Sequence, residues 1–127
     1  MSNKQIIHTD NAPAAIGPYS QAVKHGNLVF LSGQIPLDPQ TMTLVEGGIQ
    51  EQTRRVFSNL QAVAVAAGAS LDDALKVNIS LTDLNDFAAV NDVMAEVFAE
   101  PFPARACVQV AALPKGADVE IEVILGL

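Results

Sequence analysis

The sequence predicts an α+β fold, a single mixed β-sheet covered by two helices on one face. Three observations predict it. Between Gln50 and Ala67, the residues Val56, Phe57, Leu60, Val63, Ala64 and Ala67 recur at helical spacing and form one apolar face. Residues 75–82 instead alternate strictly between apolar and polar, the pattern of a strand with one buried face. A second helical stripe, Phe87, Val90, Met94, Val97 and Phe98, follows, and two further apolar strands close the chain. Two amphipathic helices suffice to cover one side of such a sheet.

Each element has a local reason. Ile6-Ile7 suits a short strand, and Asn11-Ala12-Pro13 opens a loop. Ile16-Gly17-Pro18-Tyr19 is a turn, because proline restricts the residue before it and glycine tolerates unusual backbone angles. Residues 21–24 and 28–31 flank His25-Gly26-Asn27 as a hairpin, and Ser32-Gly33-Gln34-Ile35-Pro36 ends the second strand. Residues 37–48 are turn-rich and read as a surface excursion. Gly68 stops the first helix. Ser70-Leu71-Asp72-Asp73 resembles a capping box on one helical turn. Asp83 or Asn85 can cap the second helix, which Pro101 and Pro103 terminate. Strands over 104–112 and 118–125 complete the order β-β-β-α-β-α-β-β.

Composition narrows the function. The 127 residues fit one domain, 1–127, with no internal repeat or linker. No apolar run reaches the length of a membrane span, and the first residues resemble neither a signal nor a transit peptide, so a cytoplasmic location is expected. One cysteine excludes an internal disulfide and a Cys-cluster zinc site. His8 and His25 stand apart without a motif, so no metal site is expected. Seven basic against fourteen acidic residues, a formal charge of −7, disfavour nucleic acid. They leave room for a small anion held by one local cation.

That cation is Arg105, set in the apolar strand Ala104-Arg105-Ala106-Cys107-Val108-Gln109-Val110. A guanidinium loses hydration there and needs a partner. The partner is either a structural carboxylate, Glu120 or Glu122, or an anionic ligand gripped bidentately. Alternation puts Arg105, Cys107 and Gln109 on one side, read as the ligand face together with Asn78 and Ser80. It puts Ala104, Ala106, Val108 and Val110 on the other, read as the helix-covered core. The ligand face is neither a clean core nor a clean solvent surface, and a symmetry mate would cover it. A simple hairpin would set Glu120 opposite residue 110, about 16 Å from Arg105, so cooperation between the two is easier across a subunit boundary.

Glu120, if buried, can orient or activate a water; a salt-bridged edge is the plainer alternative. Cys107 is either an activated nucleophile or, as favoured, a small buried hydrophobe. Tyr19 either offers its hydroxyl to a ligand or packs the turn. Ser32-Gly33 either presents backbone groups to a substrate or merely ends a strand. Asn91 either reaches a site or caps a polar helix edge.

Together these segments resemble the RidA family, also called the YjgF-type family of enamine/imine deaminases. The resemblance rests on Pro103-Ala104-Arg105-Ala106-Cys107-Val108-Gln109-Val110-Ala111-Ala112-Leu113 followed by Val119-Glu120-Ile121, and on Asn11 to Ala22. Ser32-Gly33-Gln34-Ile35-Pro36 and Asp83-Leu84-Asn85-Asp86-Phe87 with Val90-Asn91 extend it over essentially the whole chain. The resemblance implies a chorismate-mutase-like homotrimer, a barrel of sheets with helices outside, sites between subunits and no cofactor. It implies that Arg105 clamps a substrate carboxylate and Glu120 positions water. Tyr19, Ser32, Gly33, Asn91 and Cys107 match pocket-lining positions; at Cys107 the family accepts other small residues. The Leu125-Gly126-Leu127 ending departs from more polar tails. The implied reaction is hydrolysis of short 2-imino or enamine acids to 2-oxo acids and ammonia, with 2-aminoacrylate and 2-aminocrotonate from pyridoxal-phosphate dehydratases as sources. An endoribonuclease or RNA-binding role, or a non-catalytic metabolite-binding or holdase role, is the alternative.

Overall fold

The computed structural model describes residues 3–127. Met1 and Ser2, where the segment read above as unlike a leader begins, lie outside the described residues. Six strands form one mixed sheet: β1 (Gln5–Ile7), β2 (Ala22–His25), β3 (Leu28–Gln34), β4 (Ala74–Leu81), β5 (Ala104–Gln109) and β6 (Val119–Gly126), in the spatial order β1-β2-β3-β6-β4-β5. Two helices, α1 (Ile49–Ala66) and α2 (Phe87–Val97), interrupt the strands in the expected chain order.

The core lies between the helices and one face of the sheet. Val56, Leu60 and Val63 of α1 and Val90 and Val93 of α2 are fully buried. They meet Val77, Ile79 and Leu81 of β4 and Val119, Ile121 and Leu125 of β6 in one cluster. Phe57 and Phe98 close it edge to face, with ring centroids 5.6 Å apart. The capping-box expectation holds at Ser70, whose hydroxyl accepts from the Asp72 amide while Asp73 accepts from the Ser70 amide. Asp83 caps a single 3-10 turn, Leu84–Asp86, and α2 starts only after it.

Sheet topology corrects two expectations about β5. First, β5 and β6 do not form a hairpin; β4 lies between them. A strand entered through a crossover helix returns parallel to the strand before that helix, and β5 accordingly pairs in parallel with β4. Second, the two faces of β5 are interchanged. Laterally paired residues share a face, and the pairs are Val77 with Arg105, Ile79 with Cys107, and Leu81 with Gln109. Val77, Ile79 and Leu81 are buried under the helices, so Arg105, Cys107 and Gln109 point to the helix side. Ala104, Ala106 and Val108 face the open side, where Val108 is half exposed. Alternation states which residues share a face but not which face is covered. At an edge strand the helix layer ends, and polar side chains are tolerated at its rim.

The open face carries Asn78 and Ser80 of β4 opposite Glu122 and Glu120 of β6. It also exposes Leu28, Phe30, Leu75 and Val108. The turn-rich excursion after β3 is tied down from the core side, where the buried Asn59 Nδ2 donates to the Leu37 carbonyl at 2.9 Å.

Packing predicts that Leu60→Ala costs about 2–5 kcal/mol, whereas Val65→Ala, on the outer side of α1, changes stability by about 0.5 kcal/mol or less. Urea unfolding of both variants tests this; equal shifts would contradict the assigned core face.

Candidate functional site

Two groups of polar side chains lie on opposite faces of the sheet. The first surrounds Glu120. Between Leu31 and Gln34, β3 uses three steps where β6 uses two, so the ladder bulges at Ser32-Gly33. The bulge matters because Glu120 Oε1 occupies the space that a Cβ on Gly33 would need. Glycine there lets the carboxylate lie directly against the backbone. Above them opens a cleft of about 620 Å3, walled by Tyr19, Ser32, Gly33 and Glu120 together with apolar side chains of the N-terminal loop and the excursion. Ser32 donates its hydroxyl to the Ser20 carbonyl at 2.5 Å, so that side chain braces the wall of the cleft. Tyr19 stands half exposed at the rim.

Glu120 is half-buried, and its carboxyl is raised above the usual glutamate range by lost hydration and then by the neighbouring Glu122. Glu122 is exposed and accepts from Asn78 Nδ2 at 3.1 Å. Ser80 and Asn78 join the two carboxylates around a smaller hollow of about 140 Å3. Among the described residues, no three His, Cys, Asp or Glu side chains converge in a way that could hold a metal ion.

The second group surrounds Arg105 on the helix side of the sheet edge. Its guanidinium donates to Asn91 Oδ1 and to Met94 Sδ, the latter at 3.7 Å, and lies 5.0 Å from the Phe87 ring centroid. All three partners belong to α2, and all are neutral. Among the described residues no carboxylate pairs with Arg105, so neither Glu120 nor Glu122 takes the structural ion-pair role considered from sequence. The side chain is exposed. Cation–π and charge–dipole contacts therefore orient the fork without neutralising it.

Cys107 packs against the core, and burial raises its thiol above the usual range despite the opposing pull of Arg105. That keeps it protonated and favours a packing role. Gln109 accepts from the Leu84 amide at 2.9 Å, bracing the turn before α2.

The structure thus brings Tyr19, Ser32, Gly33 and Glu120 together, and separately Asn91, Arg105 and Cys107. It does not bring the two sets together within one chain, because the sheet lies between them. By helical spacing alone, Phe87 and Met94 read as core positions. Their spacing around Asn91 on α2 was the signal that they also flank a side chain on the adjacent strand.

The raised Glu120 pKa has a definite sign in stability. A carboxyl that binds its proton more tightly when folded stabilises the fold below its ordinary value, and this is lost as pH rises through the raised value. Glu120→Gln should therefore unfold at a higher temperature than wild type near neutral pH, with the gap closing in acid. A gap that is independent of pH would contradict the burial argument.

Known proteins match this chain over almost its whole length. The sequence model of the family described as Endoribonuclease L-PSP matches residues 9–126. A 2-iminobutanoate/2-iminopropanoate deaminase of Dermatophagoides farinae is 54% identical over 125 residues, 98% of each chain. The crystal structure of RidA from an Antarctic Psychrobacter is 58% identical, with a TM-score of 0.93 over 97% of this chain and 99% of that one. Escherichia coli TdcF with bound serine is 46% identical, with a TM-score of 0.89 over 97% and 98%.

Proposed function

We propose, from the premise that this chain belongs to the RidA/YjgF family described as Endoribonuclease L-PSP, that it hydrolyses short 2-imino acids to 2-oxo acids and ammonia. The observation that carries this reading is the oriented but unneutralised Arg105. A fixed guanidinium on neutral partners suits a ligand carboxylate that arrives and leaves. The deaminase name of the mite relative and the serine bound to TdcF point to the same class of small carboxylates.

One chain presents Arg105 on one face and Glu120 on the other, so the complete site needs two protomers. We place Arg105, with Asn91 and Cys107 beside it, at the edge of one subunit. It faces the cleft of Tyr19, Ser32, Gly33 and Glu120 in a neighbour. A trimeric barrel that turns the open sheet faces inward would also cover Leu28, Phe30 and Val108. Each chain acts as one domain, working in the cytoplasm and needing no cofactor.

The chemistry follows. An enamine acid tautomerises to its imine, whose C2 is electrophilic. Arg105 holds the carboxylate and sets C2 beside a water, an effect of orientation. The water oxygen bonds to C2 while the C=N π pair moves to nitrogen, and ionised Glu120 accepts the water proton. Glu120 then returns that proton to the nitrogen. The carbinolamine collapses: its hydroxyl proton passes through Glu120 to the amino nitrogen, C=O forms, the C–N bond breaks and ammonia leaves. A carboxyl whose pKa burial raises above the usual glutamate range holds a proton more readily, which suits its return to nitrogen.

Arg105→Ala and Arg105→Lys should keep the fold and assembly but lose roughly 30- to 160-fold in kcat/KM, the value of about 2–3 kcal/mol for a charged bidentate contact. Coupling each protein to a threonine dehydratase and timing 2-oxobutanoate release measures this; near-wild-type rates from folded Arg105→Ala would refute the clamp. The family description supports ribonuclease action as a second reading. That reading requires salt-sensitive RNA binding, which the formal charge of −7 opposes.

A further inference from the structure

Gln21 is almost fully buried, at 2% exposure, and both ends of its amide are used. Oε1 accepts from the Thr9 amide at 2.7 Å. Nε2 donates to the carbonyls of Thr9 at 3.0 Å and Pro13 at 2.8 Å, with a longer approach to Ala12 at 3.5 Å. All of these groups lie in the stretch between β1 and β2, which contains no helix or strand. Backbone groups buried there have no ladder to satisfy them, and one side-chain amide substitutes for it. The same stretch continues through Pro13, Ala14 and Ile16 to Tyr19, which form the wall of the cleft that holds Glu120.

We infer that Gln21 is a positioning residue that sets this apolar wall and thereby the size of substrate side chain the cleft accepts. The inference rests on the deaminase reading for its substrate, though the clamp itself does not. The site calls for two donor hydrogens and one acceptor on the same group, which an uncharged amide supplies. An ionised glutamate cannot donate to the Thr9 and Pro13 carbonyls, whereas a protonated one has a single O–H and donates to one of them. A methionine of similar length can do neither.

The test compares wild type, Gln21→Glu, Gln21→Met and Ile16→Ala. Hydrogen exchange over residues 9–19 reports the clamp. Steady-state kinetics on 2-imino acids bearing methyl, ethyl and isobutyl side chains, made in place by an amino-acid oxidase, report the wall. Near pH 8, about four units above an ordinary glutamate, Gln21→Glu should exchange faster over 9–19. Its preference for the small side chains should fall about tenfold, through KM, with kcat little changed. Acidification should restore part of the protection to Gln21→Glu and none to Gln21→Met. Ile16→Ala trims the wall at an exposed position without touching the clamp and should relax the size preference in the same direction. Unchanged exchange in Gln21→Met, which offers neither donor nor acceptor, overturns the clamp. Faster exchange with an unaltered size preference, or a size preference indifferent to Ile16→Ala, overturns its positioning role. Wild-type protein that hydrolyses none of these acids sinks the deaminase reading, and exchange with its acid rescue still decides the clamp.

Discussion

The parallel pairing of β5 with β4 is the constraint on which the arrangement of this molecule depends. It sets Arg105 beside Val77, on the side of the sheet that the helices cover, and at the edge where that cover stops. One step of slippage would reverse every side chain of β5. Arg105 would then leave Asn91, Met94 and Phe87 for the open face, and Ala104 and Ala106 would replace it against α2. The crossover through α2 enforces the pairing, because Val90 and Val93 anchor that helix to the same core as β4.

A consequence is a division of labour across a single sheet. The Arg105 charge sits at the rim of the helix layer, held by neutral groups. The Glu120 charge sits on the other face, pressed against Gly33 and beside Glu122. Separation keeps the guanidinium and the carboxylate from cancelling each other within one chain. At contact distance in a weakly solvated site their attraction would lower the Glu120 pKa and occupy the fork of Arg105.

The cleft walls obey a different logic from the core. The core is apolar side chains in close contact, with redundancy in which contacts hold it. The walls are loops whose main-chain groups are held by a few amides, Gln21 toward the N-terminal loop and Asn59 toward the excursion after β3. Such tethers are directional, so they determine shape more than they add stability. That suits loops that must present apolar surface to a cleft without a strand partner.

Local pattern determined the elements. The α1 stripe from Val56 to Ala67, the alternation of 75–82 and the capping box at Ser70 were legible because each is set by neighbours within one or two turns. Arg105 and Glu120 stood out too, as charges out of place in apolar strands. Three things were decided only by tertiary structure: that β4 lies between β5 and β6, that Arg105 faces α2, and that Gly33 makes room for the Glu120 carboxylate. Each depends on pairing between residues distant in the chain. A sequence records the alternation of a strand but not the neighbour against which that alternation is read.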